Sequence, residues 1–140
     1  MNGRKIENVK TVVLDAQPLI GYFEKEDCWE KVAAYLHEAS EERCLLFLTI
    51  VNWGEVYYTT LREYGAEYAD RVIKTIEHLP IGVVEANKEL TLQAARYKAR
   101  GGMSYADCFA AALAKLRKAE LVTGDKEFKV LEKEIKIVWI

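Results

Sequence analysis

Apolar residues come in short continuous runs that alternate with longer stretches of helical period. Residues 9–15 are rich in β-branched side chains and carry no charge between Thr11 and Leu14. That predicts a buried strand, broken before Pro18, with a short helix over 18–23. Residues 27–39 set Trp29, Val32, Ala33 and Leu36 on one stripe and Glu30, Lys31 and Glu38 opposite, which reads as the first long helix. Residues 44–49 are an apolar run of strand length, as expected of a parallel strand covered by helices on both faces.

From residue 51 the period turns helical, with Trp53, Tyr57, Leu61 and Tyr64 recurring until Gly65 marks the stop. A second helix over 66–78 turns Tyr68, Ala69, Val72, Ile73 and Ile76 inward, and a strand over 79–84 confines Pro80 to its first positions. A helix over 87–100 ends at Gly101-Gly102, and Ser104 opens another that runs to about residue 119. Its Ala106, Ala110, Ala111 and Ala114 permit close approach to a sheet or a second helix. A minimal strand over 121–123, a short helix over 125–131 and a last strand over 135–140 follow. The order β-α-α-β-α-α-β-α-α-β-α-β implies an α/β layer architecture with a mostly parallel sheet.

At 140 residues, 51% of them hydrophobic, the chain fits one domain, 1–140, around one core. No apolar stretch is long enough to span a membrane, and no basic segment followed by an apolar one opens the chain, so a soluble cytoplasmic protein is expected. Cys28, Cys44 and Cys108 are odd in number and widely spaced, which predicts buried reduced thiols rather than a zinc site or disulfides. His37 and His78 fall on charged amphipathic stretches, which argues against a histidine base. The net charge of −2 is unevenly spread: residues 1–87 carry 9 basic and 15 acidic groups, residues 88–140 carry 11 and 7. Arg96, Lys98, Arg100, Lys115, Arg117, Lys118, Lys126 and Lys129 are candidates for a phosphate-attracting rim, the alternative being solvated helix faces.

Four acids change the picture most. Asp15, Glu55, Asp107 and Asp125 each stand where an apolar run gives way to a helical pattern. If the runs are parallel strands, the carboxylates converge beyond one rim of the sheet, where open α/β sheets bind their ligands. Converging carboxylates in a poorly solvated cleft must take up protons or hold a cation, and hard oxygen ligands suit Mg²⁺ or Mn²⁺, hence phosphodiester chemistry. Each acid also has an ordinary structural reading. Asp15 and Asp125 suit helix N-caps, Asp107 suits a capping box with Ser104, and Glu55 suits an exposed helix position. Their joint placement is what coincidence explains poorly.

Val-Val-Leu-Asp-Ala-Gln-Pro-Leu-Ile resembles the first motif of the PIN-domain family, a hydrophobic strand ending in Asp. Asn-Trp-Gly-Glu-Val-Tyr is similar to its second motif, Ser-Tyr-Ala-Asp-Cys-Phe-Ala-Ala-Ala-Leu-Ala to its third and Leu-Val-Thr-Gly-Asp-Lys-Glu-Phe to its fourth, in family order over nearly the whole chain. The resemblance implies a three-layer α/β/α fold with about five short strands. It assigns metal coordination to Asp15 and Asp107 most directly, with Glu55 and Asp125 completing the pocket and Thr123 supporting it. Gln17 departs from the Ser, Thr or Asn usual there, and its longer amide is expected to hydrogen-bond water, ligand or a neighbouring carboxylate. Gly124 replaces a commonly larger residue and is expected to open the mouth of the site.

Single-domain members of this length resemble VapC-type toxins. This implies a Mg²⁺- or Mn²⁺-dependent endoribonuclease that leaves a 5′-phosphate and a 3′-hydroxyl, held in check by a cognate antitoxin. Unpaired RNA is the expected substrate, with Trp53, Tyr57 and Tyr58 as candidates for base stacking against an ordinary core role. The tyrosine-rich helices offer a homodimer surface or a groove for an antitoxin helix. One rival reading is a haloacid-dehalogenase-type phosphatase, which wants an Asp where Gln17 stands. Another is a non-catalytic RNA- or protein-binding scaffold, which would free the acids to vary. A receiver-like domain wants paired early acids, and Glu7 is isolated.

Overall fold

The computed structural model describes residues 9–140; Glu7 and the opening segment lie outside them. Five parallel strands form one sheet in the order β3-β2-β1-β4-β5. They are β1 (Lys10–Leu14), β2 (Cys44–Thr49), β3 (Gly82–Val84), β4 (Glu120–Thr123) and β5 (Ile137–Trp139). The helices are α1 (Ala16–Phe23), α2 (Trp29–Ser40), α3 (Ile50–Tyr64), α4 (Ala66–Glu77), α5 (Lys88–Arg100) and α6 (Tyr105–Arg117), with a 3-10 turn over Lys126–Leu131. Strand and helix order is as the pattern predicts, although β3 and β5 are shorter than the apolar runs that carry them.

Alternation along β1 divides the core. Val12 and Leu14 pack with Leu46, Leu48 and Val122 under side chains of α1 to α4, whereas Val13 packs with Leu121 beneath α5 and α6. This makes three layers. The chain builds outward from β1 to β3 and then returns across to β4, so the order reverses between β1 and β4. A crevice at such a switch point is where α/β sheets place ligands.

Two elements depart from the hydropathy reading. On β2, Leu45 is 42% exposed, and Phe47 is covered by the Arg117 guanidinium, 4.6 Å from its ring centre, because α5 and α6 cover only part of that face. On α3 the buried row is Asn52, Val56 and Thr60, while Leu61 and Tyr64 face outward. The apolar row is therefore not the inward row. Helix α6 is enclosed from Asp107 to Ala114, its alanines allowing sheet and neighbouring helices to close around it.

Candidate metal centre

Each acid reaches the switch point by its own element. Asp15 follows β1 and caps α1, and Asp125 follows β4 and caps the 3-10 turn. Glu55 sits on the second turn of α3, which starts at the end of β2, and Asp107 on the first turn of α6. Carboxylate oxygens of Asp15, Glu55 and Asp107 lie within 4.8 Å of one another. Asp107 also belongs to a second such group with Asp125 and Glu127. Asp15 is 2% and Asp107 4% exposed.

Hydrogen bonding decides between cap and cluster. Asp15 accepts from the Ala16 amide at 2.9 Å, while its other oxygen accepts from Thr123 Oγ1 at 2.9 Å. Thr123 Oγ1 in turn accepts from the Asp125 amide at 3.0 Å. Ser104 Oγ accepts from the Asp107 amide at 3.1 Å, but the Ser104 amide donates to Glu127, not to Asp107. The capping box is half made. The Asp107 carboxylate faces the other acids, and no donor reaches it among the described residues.

The electrostatics follow. Burial pushes Asp107 up to about 9; the charge of Asp15 adds to it, as do Asp125, by sharing a proton with it and by its charge, and Glu127, by sharing a proton with it. Burial likewise raises Asp15 to about 7, helped by Glu55 and Asp125 and opposed by the bonds from Thr123 and Ala16. Glu55 is raised by burial and by Asp125, against a bond from Asn52. Since the folded state binds more protons than the unfolded chain between each ordinary and raised value, stability of metal-free protein falls as pH rises. For Asp15 a rise from 3.8 to about 7 is a penalty on the order of 4 kcal/mol by pH 8. Urea midpoints in EDTA are therefore expected to drop steadily from pH 5 to pH 8, and a flat profile would show that the cluster carries no such strain.

Two positioning groups escaped the sequence reading. Asn52, fully buried, donates through Nδ2 to Glu55 Oε1 at 3.3 Å and to the Ala106 carbonyl at 3.1 Å, and accepts from Thr49 Oγ1. It ties α3 to the residue before Asp107. Its signal was the three-residue spacing to Glu55, which puts both on one helix face. Glu127 is the other, two residues beyond Asp125.

Other expectations need correction. Among the described residues Gln17 bonds no carboxylate: its Oε1 accepts from the Gly124 amide at 3.0 Å. Gly124 opens no mouth, because a Cβ there would lie 2.8 Å from the Ile140 carbonyl oxygen and 3.0 Å from Gln17 Oε1. The basic residues do not form one rim. Arg100 pairs with Glu134, Lys98 donates to the Met103 carbonyl, and Arg117 lies over Phe47. Lys115 and Lys118 line a cavity of about 570 Å³ with Lys10 and Glu120, at the amino ends of the strands. Helix α6 carries Lys118 about 16 Å from Asp107, eleven residues at 1.5 Å each. Lys126 and Lys129, on the 3-10 turn, remain beside the acids in sequence. Of the aromatic candidates, Trp53 packs partly on the core, while Tyr57 donates to Asp70 and Tyr58 is 48% exposed. All three cysteines are unpaired, with Cys28 half-buried and Cys44 and Cys108 buried, and both histidines are exposed. Among the described residues no helix is long and apolar enough to cross a membrane.

In fold, the chain is similar to VapBC2 from Rickettsia felis, solved bound to a promoter DNA fragment: TM-score 0.73 at 13% identity, over 93% of this chain and 98% of that one. DNA-bound VapBC from Salmonella typhimurium gives 0.71 at 17% identity over 93% and 98%. VapC20 from Mycobacterium tuberculosis, a toxin that cleaves the sarcin-ricin loop, gives 0.69 at 15% identity over 85% and 93%. No curated protein matches the sequence significantly. The sequence model of the PIN domain matches residues 12–134, a span that takes in β1 through the 3-10 turn and every acid of the cluster. A match of that extent, over a sheet whose switch point gathers those acids, makes the chain a member of the PIN domain family.

Proposed function

We propose that this protein is a metal-dependent endoribonuclease, the toxin of a VapBC-type toxin-antitoxin pair. One observation carries the reading: three carboxylates from three separate elements meet within 4.8 Å, two of them almost wholly buried. Such a set is strained by itself and suits a hard divalent cation, so Mg²⁺ or Mn²⁺ fits the donors present. Asp15, Glu55, Asp107 and Asp125 are the residues to hold it, with Thr123 and Gln17 supporting. When bound, the ion supplies a Lewis acid that lowers the pKa of water and offsets charge developing on the phosphoryl oxygens.

The residues themselves do the positioning. The Thr123 hydroxyl donates a hydrogen bond to Asp15 and accepts one from the Asp125 backbone amide, fixing two acids through one hydroxyl. Asn52 holds Glu55 towards Asp107. RNA is the substrate in this reading, as it brings a phosphodiester to the acids without needing a histidine. The similarity to VapBC complexes supports a cognate antitoxin as partner, and the exposed Tyr58, Leu61 and Tyr64 on α3 offer the apolar surface for it or for a homodimer in the cytoplasm.

The test is cleavage of structured and unstructured RNA with Mg²⁺, with Mn²⁺ and after EDTA. Cleavage is expected only with metal, falling at least about 10³-fold without it, a barrier change of roughly 4 kcal/mol. RNA retained but uncut under every condition would point to the scaffold, and phosphate released from small monoesters would point to the phosphatase.

A further inference from the structure

The loops after β1 and β4 are joined by two staggered cross-links. Asp15 takes the hydroxyl of Thr123, and two residues further along, Gln17 takes the amide of Gly124. The first link belongs to the acid cluster. The second does not: Gln17 lies in the first turn of α1, and its Oε1 accepts a backbone N–H rather than reaching a carboxylate. Gly124 is required there by space, since a Cβ would meet both the Ile140 carbonyl and Gln17 Oε1. The Ile140 amide donates to the Thr123 carbonyl at 3.1 Å, closing the other side of the same loop. Thr123 and Gly124 are thus gripped on both sides, by α1 through Gln17 and by the residue after β5, Ile140. Asp125 is the next residue, and its amide is the donor to Thr123 Oγ1.

We propose that Gln17 and Gly124 are a matched positioning pair that fixes the β4 loop so that Asp125 and Thr123 address the cluster in register with Asp15. The idea rests on the reading of the cluster as a cation site. The pair acts through the loop, with neither side touching the reacting atoms. The long amide and the glycine depend on each other: a shorter side chain at 17 leaves the Gly124 amide unheld, and any side chain at 124 displaces the Gln17 carbonyl oxygen. Substituting either therefore breaks the same link, and at 124 the added Cβ also meets the Ile140 carbonyl.

The experiment is a double-mutant cycle on purified full chain, Gln17→Met, Gly124→Ala and both, read by Mn²⁺ affinity in calorimetry, with Asp15→Asn as benchmark. Gln17→Met keeps length and removes the acceptor. Each single change is expected to weaken Mn²⁺ about five- to tenfold, the double change no more than the worse single one, because contacting residues of one link are not additive. In Gln17→Met, faster hydrogen exchange at the Gly124 amide should accompany the loss, and Gln17→Glu, which keeps the acceptor, should restore slow exchange. Wild-type affinity in Gln17→Met, with Asp15→Asn unable to bind, overturns the pair while leaving the cation site standing. Fully additive losses also overturn it. Absence of Mn²⁺ binding by the wild-type protein removes both proposals together. If Gly124→Ala does not fold, Gln17→Met and its exchange rate decide the matter alone.

Discussion

Asp107→Asn is expected to reduce RNA cleavage at least about 10³-fold and, in metal-free protein at pH 8, to raise the melting temperature. The two effects have one cause. Asp107 sits at the start of the enclosed helix α6, shared between the two acid groups, with no donor to its carboxylate among the described residues. With Asp107 lifted to about 9, the metal-free fold at pH 8 must hold its carboxyl protonated while the unfolded chain ionises, a cost that an uncharged amide does not carry. An amide in its place also gives the neighbouring acids a donor. A gain of about 2 kcal/mol corresponds to roughly 6 °C in a domain of this size. The same change removes a ligand position common to both groups, so the cation site loses more than one contact. Added Mg²⁺ should stabilise wild-type protein in proportion to the logarithm of its concentration and leave the variant unmoved. A variant that is less stable than wild type in EDTA would mean that Asp107 is a structural capping residue after all.

Asn52→Ala is expected to destabilise the fold by about 2–3 kcal/mol, roughly 6–9 °C in melting temperature, and to lower cleavage at least about tenfold. Asn52 is fully buried, and its amide answers three groups at once: the Thr49 hydroxyl, the Glu55 carboxylate and the Ala106 carbonyl. Truncation takes from the Thr49 hydroxyl the acceptor of its proton and from the Ala106 carbonyl its partner across the helices, at a buried position where lost hydrogen bonds are expensive. It also frees Glu55 to turn to solvent and loosens α3 from the first turn of α6. The stability loss should persist at all pH values, unlike the effect at Asp107. Thermal melts in EDTA at pH 5 and pH 8, beside RNA cleavage in Mg²⁺, separate the two. A melting temperature within about 2 °C of wild type would remove Asn52 from the framework of the site.

How each acid came to be legible differs. Asp15 and Asp125 could be read because a strand end is marked by the apolar run before it, and the sheet order then brings β1 beside β4. Asp107 was visible as an acid within an alanine-rich helix, yet taken singly its capping-box reading was the better one. Only the placement of Glu127, which takes the Ser104 amide, leaves Asp107 free to join the cluster. Glu127 itself looked like one more acid in a charged turn.

The sequence by itself determined the alternation of strands and helices, the parallel sheet and the rim at which the acids collect, because periodicity and strand ends are local properties of the chain. Tertiary structure alone decided which side of α3 is buried. Hydropathy favoured Leu61 and Tyr64, but the polar row of Asn52 and Thr60 is inward, since each polar atom finds a partner there that lies elsewhere in the fold or one turn back. It also decided that Gln17 meets Gly124 across 107 positions, and that the basic end of α6 lies at the amino ends of the strands, away from Asp107. Period reports which residues share a face. Which face turns inward, and what its polar groups bond, depends on contacts that exist only once distant segments have packed together.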